Sequence, residues 1–321
     1  MVFGGPVAER IQLNEDSVWS GGFRDRVNPD CKNNLPEIRR LLREGDIAQA
    51  ENLATLAMAG TPEFERMYQT LGDIYLTMEN QAGEVEHYTR QLDLDNALCT
   101  VSYTSGGVDY TREAYISAPH NVMVVRLGSS RKGGVSFQVR MHRGRYTDGT
   151  FQDKEHHAIY YTGGEDIRFC SMLRASAVGG TVEVVGEYLV VKNADQATLT
   201  WTAATTYRVE DPVEECRRVL DAASLPEREL WQAHLQDYQA LYNRARLTLA
   251  ADSALEVLPT DARLARVQNG EEDLGLVALY FAFGRYLTIA SSRPGSASSL
   301  ARGTWSPRGR KSSSCSQAAT S

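Results

Sequence analysis

Acid–base hydrolysis needs two carboxyl groups held at a set separation, and four acidic groupings in the chain could supply them. These are Asn14-Glu15-Asp16, Asp148, Asp153-Lys154-Glu155 and Glu165-Asp166. Each falls in a turn-like stretch where Asp and Glu are favoured for local hydrogen bonding, so spacing alone makes none of them catalytic. His156-His157 suits a metal only if both rings converge. Neighbours on a strand point to opposite faces, so no metal site is expected. No nucleophile elbow is present, and no glycine pair heads a strand-to-helix phosphate loop, so no cofactor is expected. The tyrosines of the alternating segments could stack on sugar rings, although Tyr also favours strands for packing reasons.

The elements that would carry such groups follow from composition and period. The chain has 321 residues, 42% of them hydrophobic and 23% charged, with a net charge of −7. That balance excludes disordered, collagenous and disulfide-scaffold classes, points to about two domains, and argues against nucleic acid as a partner. The charge is uneven: residues 1–290 carry −12, whereas Arg293, Arg302, Arg308, Arg310 and Lys311 make the end basic. Cys31, Cys99, Cys170, Cys216 and Cys315 are scattered and form no Cys-x-x-Cys pair, so buried or idle thiols are expected rather than a framework. No signal peptide is visible, which leaves the compartment open. The longest apolar run, Leu274 to Ala290, contains Arg285 and falls short of the roughly 20 residues a membrane span needs, so no membrane association is expected.

Along the chain, Arg10 to Leu13 reads as a short strand. Asn34-Leu-Pro36 opens a helix interrupted at Gly45, and Asp46 caps a second helix that ends near Gly60. Period-two runs follow at Gly72–Leu76, Cys99–Thr104, Val108–Tyr115, Asn121–Leu127, Val135–Met141, Thr181–Val191 and Leu199–Ala203. They predict an antiparallel sandwich, and a closed barrel fits the same spacing. Helical periods return at Val213–Ala223, from Pro226 through Trp231, Leu235, Tyr238 and Tyr242, and at Thr260–Val267; Arg246–Leu249 reads as a short strand. Asp273 to about Ala290 is apolar on nearly every face, the mark of a helix inside a large protein.

Several stretches in order resemble glycoside hydrolase family 95, the α-L-fucosidases of terminal α-1,2-linked fucose. They are Glu9-Arg-Ile-Gln-Leu-Asn-Glu-Asp-Ser-Val-Trp-Ser-Gly-Gly22, Leu35-Pro-Glu-Ile-Arg-Arg-Leu-Leu42 and Tyr68-Gln-Thr-Leu-Gly-Asp-Ile-Tyr-Leu76. Leu92-Asp-Leu-Asp95, Val101-Ser-Tyr-Thr104, Tyr110-Thr-Arg-Glu-Ala-Tyr115, His234-Leu-Gln-Asp-Tyr238 and Tyr280 to Gly295 complete the set. The resemblance implies a mainly β fold: an N-terminal antiparallel super-sandwich over 1–225 with a helical insert at about 36–59. A helical linker over 226–270 and the first helix of an incomplete (α/α)6 barrel over 271–291 would follow, and 292–321 would be an aberrant low-complexity tail. The expected Leu-Pro-x-Asn-Leu-Gln-Gly-x-Trp continuation is replaced after Gly295, as a frameshift would do, and the N-terminus reads as clipped before Met1-Val-Phe-Gly-Gly.

In the family, hydrolysis is inverting, with a Glu as general acid and water activated through Asn side chains, all in the barrel. No catalytic residue is therefore carried over to this chain. Asn14 and Glu15 are the candidates for a sandwich loop that reaches substrate, with a turn anchored by its own side chains as the competing reading. The expected function is an α-L-fucosidase portion that is inactive alone and whose partner is a fucosylated oligosaccharide. A stand-alone carbohydrate-binding or structural module is the alternative, and a nucleic-acid or membrane arm formed by the basic tail is a third reading. Leu276, Phe283 and Leu287 are expected to be exposed and to drive self-association.

Overall fold

The computed structural model describes residues 1–21, 24–63, 66–79, 83–144 and 147–293. The chain opens with β1 (Ala8–Leu13), then α1 (Cys31–Glu44) and α2 (Ile47–Met58). Twelve strands follow without an intervening helix. They are β2 (Gly72–Met78), β3 (Val85–Asp93), β4 (Leu98–Ser105), β5 (Val108–Ser117), β6 (Val122–Ser129) and β7 (Val135–His142). Then come β8 (Gly149–Asp153), β9 (Ala158–Gly163), β10 (Phe169–Val178), β11 (Thr181–Val185), β12 (Tyr188–Ala194) and β13 (Gln196–Thr205). The last part is helical: α3 (Pro212–Ala222), α4 (Glu227–Tyr242), α5 (Ser253–Glu256), α6 (Thr260–Gln268) and α7 (Leu274–Ser291).

The strands form two antiparallel sheets, one of five strands in the order β1-β2-β7-β12-β11 and one of eight in the order β3-β4-β5-β6-β13-β10-β9-β8. The architecture is the open sandwich, not the closed barrel that the spacing also allowed. Alternation sets the register: Ile74, Leu76, Phe137, Val139, Leu189 and Val191 of the smaller sheet meet Val125, Leu127, Leu173 and Leu199 of the larger one in a single core. Each such side chain contributes about 1.5–3 kcal/mol by leaving water. The outer face of the larger sheet is covered by α3, whose Cys216, Val219, Leu220 and Ala223 pack on Val122, Val124, Cys170 and Met172. Asp211 starts that helix by accepting from Val213 and Glu214 N–H, a cap worth about 1 kcal/mol.

Several local readings need correcting. The insert helix α1 begins at Cys31, five residues before Pro36, because Asp30 and its carbonyl start the turn and the proline is accommodated inside it. Asp46 caps α2 through Gln49 N–H as expected. The Thr181–Val191 run is a hairpin, turned at Gly186 with φ +58°. Arg246–Leu249 alternates but pairs with no strand among the described residues and runs as irregular chain. His156 and His157 stand in the turn between β8 and β9 rather than on a strand, because Asp153 accepts from the His156 N–H at 3.1 Å and bends the chain there.

The apolar α7 is anchored by its capping residue Asp273 and by its one charged residue, Arg285. Asp273 accepts from Leu276 N–H at 2.8 Å and pairs in bidentate fashion with Arg263 of α6 at 2.7 and 2.8 Å. Arg285 donates to the Leu241 and Tyr242 carbonyls at 3.0 and 2.8 Å, closing the C-terminus of α4. By length and composition α7 is the one helix among the described residues that could cross a membrane. The Arg263 guanidinium holds the Asp273 carboxyl down to about 2, against roughly 3.9 in an unfolded chain. The stabilisation from this group is therefore complete above about pH 4 and is lost as pH falls through about 2. Asp273→Asn keeps the cap and removes the charge. Thermal melts from pH 6 to 2 are expected to fall less steeply for the variant than for the wild type, and equal slopes would refute the assignment.

Candidate functional site

Both sheets end on a common rim, and most candidate residues collect there. Leu13, Gly72 and His142 close the smaller sheet, while Ser117, Val122, Gly163, Phe169 and Thr205 close the larger one at the same end. Polar bonds tie the two ends together. Tyr161 Oη donates to the Leu71 carbonyl, Arg143 Nε donates to the Thr70 carbonyl at 3.0 Å, and its guanidinium lies 4.5 Å from the Phe169 ring centre. Gly72, at φ +121°, is held where a Cβ would stand 2.8 Å from the His142 carbonyl, so no larger residue fits this joint.

The loop after β1 crosses this rim. Asn14 is exposed on it, whereas Glu15 turns inward and accepts from the Ser17 N–H at 2.8 Å and from the Ser17 hydroxyl. Arg208, just past β13, bridges the Glu15 and Asp16 carboxylates, and the Ser17 hydroxyl meets that of Thr205 at 2.6 Å. Burial raises the Glu15 pKa above the usual carboxylate range, with the neighbouring Asp16 adding to the effect. Trp19 Nε1 donates to the Asp16 carbonyl at 3.2 Å, and the Trp19 ring lies edge-on to Tyr68, 5.7 Å between centres. The structure thus places a carboxylate pair, a guanidinium and two aromatic rings side by side. It does not bring Asn14 and Glu15 to a shared face, because the carboxylate is spent on its own turn. Such an arrangement can bind hydroxyl-rich surfaces through bidentate polar groups beside a ring face.

Glu165-Asp166 shares the rim, in the loop from Gly163 to Phe169, where the Asp166 carbonyl accepts from the Thr206 hydroxyl at 3.4 Å. Asp148 precedes β8 beside Thr162, and the Asp153 grouping stands at the other end of β8. Asp153 accepts from His156 Nδ1 at 2.9 Å, and its pKa is lowered. Among the described residues, no three His, Cys, Asp or Glu side chains cluster as a metal site requires. Tyr103 and Tyr110 are buried and stacked at 5.4 Å, so they pack the fold rather than offer a platform. The cavity beside them, about 10 Å³, is far too small for a sugar.

Helix α4 stands on the same rim, and here sequence reasoning missed its main residue. The buried stripe is Leu230, His234, Tyr238 and Tyr242; Trp231 and Leu235 are only half-buried. His234 Nδ1 and Nε2 lie 3.0 and 2.8 Å from the Ile116 and Asn96 carbonyls, and burial lowers its pKa, which favours the neutral ring that donates to one of the two. Tyr238 Oη donates to the Leu94 carbonyl at 2.7 Å. A polar residue in an apolar stripe leaves no periodic signal, and the quoted His234–Tyr238 motif was the available hint. Cysteine spacing also hid a contact: Cys170 and Cys216 are buried together, while Cys31 and Cys99 are half-buried.

On α7, Val277, Tyr280, Phe281, Phe283 and Leu287 are exposed, Tyr280 by 77%. Leu276, expected to be exposed with them, is half-buried next to the N-terminal turn that Asp273 caps. The tail after Gly295 lies outside the described residues.

A model of the glycosyl hydrolase family 65 N-terminal domain matches residues 1–210, and one of the glycosyl hydrolase family 95 catalytic domain matches residues 226–317. The second match runs past Gly295. Alpha-L-fucosidase 2 of Arabidopsis thaliana is 31% identical over 344 residues, an alignment that covers 95% of this chain and 40% of that protein. Probable alpha-fucosidase A of Aspergillus niger is 26% identical over 325 residues, covering 92% of this chain and 40% of that protein. The chain therefore spans about 40% of the length of these relatives. Among solved structures, a putative kojibiose phosphorylase from the human microbiome aligns with a TM-score of 0.39 at 12% identity, covering 55% of this chain and 29% of that one. A family 92 inverting mannosidase from Bacteroides thetaiotaomicron aligns with a TM-score of 0.31 at 12% identity, covering 55% and 27%.

Arg208 reaches both Glu15 and Asp16. Because it is one-third exposed, Arg208→Ala is expected to cost about 1 kcal/mol or less in global stability. Its effect should be local: faster amide hydrogen exchange at Ser17 and Val18. Unchanged exchange there would mean that main-chain contacts alone hold the loop.

Proposed function

We propose that this chain, whose residues 1–210 belong to the glycosyl hydrolase family 65 N-terminal domain family and whose residues 226–317 match the family 95 catalytic domain, is the sandwich-bearing part of an α-L-fucosidase. The observation that carries this reading is its 31% identity, across 95% of its length, to a plant α-L-fucosidase. The substrate of the complete enzyme is a glycan ending in α-1,2-linked fucose, hydrolysed with inversion. This chain by itself is inactive. General acid catalysis needs a carboxyl group poised over the scissile oxygen and a second group on the attacking water. Among the described residues the Glu15–Asp16 pair is engaged by Ser17 and Arg208 instead.

In this reading the loop carrying Asn14 and Glu15 borders the substrate, because it shares a rim with α4, where the family 95 catalytic match begins. The Trp19–Tyr68 pair beside Asp16 and Arg208 favours a second role, carbohydrate binding by the sandwich itself. Neither nucleic acid nor a membrane is the partner expected of so acidic a body.

Purified chain incubated with a fluorogenic α-L-fucoside is expected to give no turnover above buffer, and measurable turnover would overturn the inactive assignment. Titration of a fucosyl-oligosaccharide in a calorimeter separates the two roles, since heat of binding without turnover supports the sandwich as a binding module. The exposed face of α7 leads to another expectation, self-association at micromolar concentration. Size-exclusion chromatography with light scattering should show species larger than 35.6 kDa, and a monodisperse monomer would count against it.

A further inference from the structure

Strand β10 and helix α3 each carry one cysteine into the layer between them. Cys170 on β10 and Cys216 on α3 are 46 residues apart in sequence, and both are fully buried. The Cys216 Sγ lies 3.7 Å from the Cys170 carbonyl oxygen, and both side chains belong to the same buried cluster. The surrounding contacts fix this approach from both sides. Met172 and Val219 pack around the cysteines, and Arg174 of β10 reaches Asp221 and Ser224 at the far end of the helix at 2.7 and 3.1 Å. Cys99 on β4 and Cys31 at the head of α1 lie outside the cluster.

We propose that Cys170 and Cys216 are a disulfide-forming pair that staples α3 to β10 when the chain folds in the presence of a disulfide oxidant. The oxidant is a low-molecular-weight disulfide or a dithiol oxidoreductase in its oxidised form. One cysteine thiolate attacks a sulfur of the oxidant, breaking its S–S bond and giving a mixed disulfide. The second thiolate then attacks the protein sulfur of that mixed disulfide. A Cys170–Cys216 bond forms, two electrons pass to the oxidant, and the two thiol protons end on its two released thiols. The exchange belongs to folding, before α3 seats. Once the helix is down, burial and the Cys170 thiol push the Cys216 pKa far upward and hold it as the unreactive thiol.

The test is refolding of the full chain from urea, either with oxidised and reduced glutathione or under full reduction. The samples are acid-quenched, unfolded, alkylated and mapped by mass spectrometry. A peptide linking Cys170 to Cys216 is expected only after oxidative refolding, retained in a Cys31→Ala, Cys99→Ala, Cys315→Ala background and lost in Cys216→Ser. The oxidised triple variant should melt roughly 5 °C or more above its reduced form, since the bond closes a long loop in the unfolded chain. Alkylation of both Cys170 and Cys216 after oxidative refolding, or their linkage to other cysteines, would overturn the proposal.

Discussion

Side chains of α4 tie that helix to the larger sheet, chiefly through main-chain carbonyls. His234, Tyr238 and Gln239 reach Asn96, Ile116, Leu94 and the Asn96 side chain, all at the strand ends of the larger sheet. A carbonyl at a tight turn cannot move without distorting the ladder beside it, so the helix inherits the rigidity of the sheet. Arg285 passes that rigidity on by bonding the last carbonyls of α4 from α7. The position of the segment that matches the family 95 catalytic domain therefore depends on His234 and Tyr238, one helical turn apart on α4.

The rim itself is a product of the same packing. Its loops are anchored where two buried sheets end, and the short segment Asn14–Trp19 keeps a defined course there through the buried Ser17 and Val18 and the Arg208 bridge. Glu15 shows the cost: a carboxylate that holds a turn and faces Arg208 is not poised for proton transfer. A loop rigid enough to border a ligand has in this case used its acidic group for rigidity.

Sequence period revealed β2, β5 and β7 because one face of each is wet or lightly covered, which preserves alternation. It concealed β10, where Phe169 to Leu173 are all buried, since the core lies on one side and α3 on the other. It concealed β3 for the opposite reason: this edge strand is exposed along most of its length and offers no apolar rhythm at all. Helix caps were legible, as at Asp46, because capping is local. Long-range polar partners were not. Glu15 and Arg208 are 193 residues apart, and nothing in either neighbourhood names the other.

The order of strands in the smaller sheet governs how such a chain can assemble on a ribosome. β1 pairs with β2, β2 with β7, and β7 with β12, so that sheet draws on residues from 8 to 194. Its inner face is sealed only when β13 joins the opposite sheet. Until about the first two hundred residues have emerged, the nascent chain presents half-paired strands with an uncovered apolar face, the species that chaperones retain and that aggregates if they do not.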